Sequence, residues 1–163
     1  AAPDNPEGVS ALSVAIRREG DIAEAQGNYR DAIVRHREAL ALQDRHASLS
    51  PDFMQTRNLS LTHIGRNQMK LGDIAGARVT LAQAVGDFEQ LVATNPEAPR
   101  YRDDLAEVLA LSAEAWLASP ADRTRAARAA DAAFAIWSMD ESAGRLSQPA
   151  QARRDGLRRA LRP

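Results

Sequence analysis

The chain has no cysteine, which excludes disulfides, zinc-thiolate sites, iron-sulfur clusters and thiol nucleophiles. Aromatic residues make up 4% of it, and Lys70 is the only lysine. Its core therefore has to be built from Ala, Leu, Ile and Val, which favours close helix packing. No apolar run approaches the roughly 20 residues of a membrane span, and no signal-peptide core precedes the first helical pattern. A soluble, cytoplasmic protein without membrane contact is expected. Neither sign of charge dominates: 21 Lys and Arg stand against 22 Asp and Glu, a net charge of -1. The overall field that would draw the chain onto nucleic acid is absent. The balance is uneven, however, because residues 122–163 hold nine arginines against five acids. Heavy Ala and Arg usage with one Lys suggests a bacterial source of high GC content.

What is present is helix punctuation. Two prolines in the first six residues read as a linker over residues 1–9 and as a piece of something longer. Apolar spacing and capping signals then predict helices over 9–26, 29–48, 52–70, 74–94, 97–118, 121–140 and 148–161. Asn28 is expected to cap the second. Ser50-Pro51, Asn95-Pro96 and Ser119-Pro120 are expected to open the third, fifth and sixth, with Asp122 giving a capping-box-like start to the last of these. No alternating β-branched run competes, so the fold class is all-α. At 163 residues one domain is expected.

The strongest signal is internal repetition. Gly20, Gly27, Ala32, Ala39 and Pro51 recur at Gly65, Gly72, Ala77, Ala84 and Pro96, each displaced by 45 residues. A degenerate third copy places Ala113, Ala121, Ala126 and Ala133 at the four small positions. Small residues late in one helix and early and midway in the next belong where two helices cross closely. Branched side chains there would force the axes apart.

These landmarks resemble the tetratricopeptide repeat, through Leu61, Ile64, Gly65, Ala77, Leu81 and Ala84 in the second copy. The first copy matches through Ile16, Gly20, Ala32 and Ala39, with Glu19 where the family prefers Leu and His36 at the large position. The third matches through Leu109, Ala113, Trp116, Ala126 and Ala133. The family's usual period is about 34 residues, so this chain is similar to a long-helix variant found in tails of large bacterial signalling proteins, including Ser/Thr kinases. The resemblance implies an α-solenoid of three helix-turn-helix pairs, at about 10–50, 51–95 and 96–140. A capping helix at about 148–161 follows, all within a single domain over 10–163.

Motifs for chemistry are missing. There is no His-x-x-x-His pair, Gly-rich phosphate loop or nucleophile elbow. No catalytic residue, cofactor or metal is therefore expected, and the chain is read as not an enzyme. His36, His46 and His63 stand apart in the sequence and are read as packing or surface residues, His36 as interhelical filler. Asp103-Asp104 reads as a solvated helix start, since adjacent helical residues diverge by about 100 degrees. Trp116 and Trp137 read as core.

By the family's register, first helices line the inner face of the stack. That assigns partner-binding roles to Arg17, Asp21, Glu24, Thr62, Arg66, Met69, Glu107 and Glu114. The Lys and Asn of the family's carboxylate clamp are not reproduced at these positions. The rival surface is the basic patch Arg153, Arg154, Arg158 and Arg159 on the terminal helix, suited to an acidic partner or nucleic acid. The expected function is a protein-protein interaction and scaffolding module binding a protein or peptide. Homodimeric self-association is the alternative, and nucleic acid fits the mixed inner face poorly.

Overall fold

The computed structural model describes residues 6–44 and 50–162. Among them are seven α-helices: α1 (Pro6–Ala25), α2 (Tyr29–Asp44), α3 (Pro51–Lys70), α4 (Ile74–Thr94), α5 (Pro99–Leu117), α6 (Arg123–Ser142) and α7 (Gln148–Ala160). No strand occurs among the described residues, and none of the helices is long and apolar enough to cross a membrane.

Local chemistry explains most boundaries. Ser50 Oγ accepts from the Phe53 amide at 3.3 Å, and Ser147 Oγ accepts from Ala150 at 3.3 Å, each supplying a partner for a free first-turn donor. Pro51 and Pro149 sit in the first turns of these helices, where the missing N–H costs nothing. Gly27 and Gly72 end α1 and α3 at φ of 78° and 81°, a left-handed conformation that side-chain-bearing residues rarely adopt.

Three expected boundaries move. Helix α1 already begins at Pro6, so residues 6–9 of the expected linker are helical, and its first five residues lie outside the described part. Asn95-Pro96 does not open α5: the Asn95 amide and side-chain Nδ2 both donate to Leu91 O and finish α4 instead. Helix α5 starts one proline later, behind Ala98. Before α6, Pro120–Asp122 form a short 3-10 turn without a side-chain cap. Asp122 accepts from Arg125 at 2.8 Å, so the capping box does not form.

The chain divides into two compact units, Ala1–Asp87 and Phe88–Pro163. In the first, α1 packs on α2 and α2 on α3. Ala32, Ala39, Ala77 and Ala84 are completely buried, as the repeat requires. Gly65 faces Leu81, where a Cβ would lie 2.6 Å from Leu81 Cγ, so α3 meets α4 at van der Waals distance through glycine. Arg57 ties the outer ends of this unit together, reaching Asp44 on α2 at 2.6 Å and Asp87 on α4 at 2.5 Å. In the second unit α5 packs along α6, with Ala113, Ala126 and Ala133 buried at the crossing, and α7 lies against both helices.

A candidate histidine-carboxylate site

Helix α1 carries Arg17, Asp21 and Glu24 at intervals of four and three residues, which stacks them on one face. The neighbouring helices answer with polar groups: His36 from α2, and His63, Arg66 and Asn67 from α3. Arg17 Nη1 meets Asp21 Oδ2 at 3.2 Å, and Arg66 Nη1 meets Glu24 Oε1 at 3.3 Å. Asn67 Nδ2 donates to Glu24 Oε2 at 2.9 Å.

Two of the three histidines, which stand apart in the sequence, come together here. The rings of His36 and His63 stack with centroids 4.6 Å apart and an angle of 22° between planes. His63 Nδ1 lies 2.9 Å from Glu24 Oε2. A carboxylate only accepts, so this nitrogen is the donor, and whenever the ring is neutral its lone pair lies at Nε2. That Nε2 is 3.6 Å from Asp21 Oδ1, which also lies 3.8 Å from His36 Nε2. His36 is completely buried, and neither of its ring nitrogens has a hydrogen-bond partner among the described residues; Asp21 Oδ1 is likewise unpaired. His46, the third histidine, lies outside the described residues.

The environment sets the charges. Loss of hydration pushes the His36 imidazole down to about 3, helped by His63, Arg17 and Arg66 and opposed by Glu24, so the ring is neutral at pH 7. Burial alone would raise Glu24. Hydrogen bonds from His63 and Asn67, with the charges of His63 and Arg66, outweigh it and hold the carboxyl at about 2.

The remaining candidates are placed as follows. Thr62, expected on the inner face, is buried, and its hydroxyl donates to Asn58 O at 2.8 Å within its own helix. Met69 is half-buried on α3. In the second unit one arginine of the basic patch meets two of the acids expected on the inner face. Arg153 of α7 lies across two turns of α5, 3.3 Å from Glu107 and 3.5 Å from Glu114, while both acids stay partly exposed. Arg154 is buried and meets Glu141 at 2.7 Å, while Arg158 lies over the Phe134 ring at 5.3 Å from its centroid. Arg159 is exposed.

Asp103 is more than a solvated helix start. Together with Asp104, Trp137, Asp140 and Arg145 it lines a cleft of about 300 Å³. Loss of hydration, a hydrogen bond with Asp140 and the charges of Asp140 and Asp104 raise its carboxyl to about 6 against the opposing Arg145. The partner of Asp103 is thus on α6, not next to it in sequence. Trp137 is core, as expected, at 3% exposure. Trp116 is half-buried under the guanidinium of Arg125, 5.1 Å from the ring centroid.

No protein-family model matches the chain, and neither a curated protein nor a solved structure matches it.

Proposed function

We propose that the chain is a non-catalytic protein-interaction module: a short helical repeat of the tetratricopeptide kind that offers the charged ridge of its first helices to a protein or peptide. The observation that carries this reading is the Glu24–Arg66 ion pair at 3.3 Å. It joins α1 to α3, the first helices of two successive 45-residue copies, while Ala32, Ala39, Ala77 and Ala84 of the second helices are completely buried. Side-by-side first helices are what a stacked repeat uses to build an extended binding surface.

The ridge in residues up to Asp87 consists of Arg17, Asp21, Glu24, Arg66 and Met69. Its charges are mixed and already paired, so they favour selection and steering of a charged peptide over strong non-specific attraction. Met69 adds an adaptable apolar contact. Membership of a larger bacterial signalling or regulatory protein rests on the sequence resemblance alone.

The test is capture of the partner by the wild-type chain and by Arg17→Glu/Arg66→Glu, with circular dichroism as the folding control. Loss of capture with unchanged helicity supports the ridge. Silence of that pair, with loss on replacing Arg158 and Arg159 by Ala, transfers the site to α7.

Self-association is the second reading, favoured by Val34 and Val79. These equivalent residues of α2 and α4 are 51% and 73% exposed, which leaves apolar surface that a second copy could cover. A sedimentation coefficient independent of concentration excludes it.

A further inference from the structure

We propose that Asp21, His36 and His63 bind a single divalent transition-metal ion, with Zn²⁺ the best match to the donor set. One ligand atom from each of the three residues lies within 4.8 Å of the other two, and Asp21 Oδ1 is near Nε2 of both His36 and His63. Donors at 2.0–2.1 Å from a four-coordinate ion lie about 3.4 Å apart. The observed 3.6 and 3.8 Å from Asp21 Oδ1 to the two imidazoles are therefore close to the required spacing, and binding turns the rings out of their stacked arrangement so that both Nε2 lone pairs face the ion.

Three further features point the same way. First, the outer contacts orient the donors. Glu24 holds His63 by Nδ1 and leaves Nε2 for the ion, the carboxylate-histidine arrangement that supports metal ligands. Arg17 occupies Asp21 Oδ2 and leaves Oδ1. Second, His36 Nε2 and Asp21 Oδ1 are buried polar atoms without a hydrogen-bond partner. Buried polar atoms are rarely left so, and an ion satisfies both at once.

The third feature is the repeat itself. The residue 45 positions after His36 is Leu81, and both pack into the space left by a glycine of the preceding helix, Gly20 for His36 and Gly65 for Leu81. The fold is therefore served by leucine at this crossing. A histidine whose ring nitrogens both lack partners is an inferior filler there and needs a chemical reason.

Two nitrogens and one carboxylate oxygen disfavour Mg²⁺ and Ca²⁺, which prefer all-oxygen sites, and suit Zn²⁺ and its first-row neighbours. Asp21 and His63 retain 36% and 19% side-chain exposure, so solvent can supply the fourth position. Arg17 and Arg66 oppose the incoming cation. Each is already paired with a carboxylate, which limits the repulsion.

The experiment uses the untagged 163-residue chain after chelator treatment. Co²⁺ is titrated against the visible absorption of four-coordinate cobalt, and Zn²⁺ uptake is measured by competition. The expected result is one saturable equivalent, with Zn²⁺ displacing Co²⁺ and raising the melting temperature. His36→Leu should fold as well as the wild type, because leucine fills the same crossing in the next copy, yet bind at least about 100-fold more weakly. Glu24→Gln should weaken binding by about 10- to 100-fold. If His36→Leu fails to fold, Asp21→Asn takes its place, with the same expected loss. Failure of the wild type to develop the cobalt band overturns the proposal. So does retention of full affinity by the folded variant, or loss on changing His46 while His36→Leu binds normally. The site does not depend on the interaction-module reading: a metal-binding chain with a silent Arg17/Arg66 ridge, or the converse, separates the two.

Discussion

The imidazole of His36 occupies the place where Gly20 lacks a side chain: a Cβ at position 20 would lie 2.7 Å from Cε1 and 2.8 Å from Nε2 of that ring. Glycine in mid-helix normally costs about 1 kcal/mol relative to alanine. At Gly20 and Gly65 that cost is accepted because the neighbouring helix passes too close for a methyl group.

Gly20→Ala and Gly65→Ala should both lower stability. The overpacking cost of about 1–3 kcal/mol exceeds the gain in helix propensity. Gly86→Ala, where a Cβ meets nothing within 4 Å, should raise it by about 0.5–1 kcal/mol. Urea midpoints of the three variants decide the matter, and a rise for Gly65→Ala would contradict the close crossing of α3 and α4.

A matching pair sits at the start of α4. Ala77 is completely buried and Ala75 is exposed. Ala77→Leu should therefore cost about 1–3 kcal/mol, while Ala75→Leu stays within about 0.5 kcal/mol. Equal thermal midpoints would mean that the repeat register is misplaced.

Helix α7 should behave as a docked part of its unit. Leu157 is 3% exposed, so Leu157→Ala is expected to cost about 2–5 kcal/mol. Glu141→Ala, which removes a largely exposed partner of Arg154, should cost no more than about 1 kcal/mol. Calorimetry of both variants would refute the docking if their order were reversed.

Stability should also respond to Asp103. Its carboxyl is raised to about 6 in the folded chain from an ordinary value of 3.8, so between about pH 4 and pH 6 the folded state holds more proton than the unfolded one. Stability then falls as pH rises through that window. Asp103→Asn should match the wild type below pH 4 and exceed it above pH 6. The gain is moderated by the solvent around this exposed residue and by Arg145. Chemical denaturation across that range tests it, and a gain confined to acid pH would reverse the assignment.

The local elements were legible in the sequence. Ser50, Pro51 and the glycines at 27 and 72 act on backbone torsions and hydrogen bonds a few residues away, so their effects can be read without knowing the fold. The 45-residue displacement likewise marked Ala32, Ala39, Ala77 and Ala84 as crossing residues, and their complete burial agrees. Where two prolines competed, local signals failed: Asn95 was drawn back to Leu91, and α5 began behind Ala98. The sites depended on tertiary structure because they join residues from different helices. Whether His36 meets His63, Asp103 meets Asp140 or Arg153 meets Glu107 and Glu114 depends on where one helix crosses another. A shift of one residue in that crossing would turn each side chain by about 100 degrees. Spacing along the chain therefore determined which residues shared a helix face, and only the packing of helices decided which faces met.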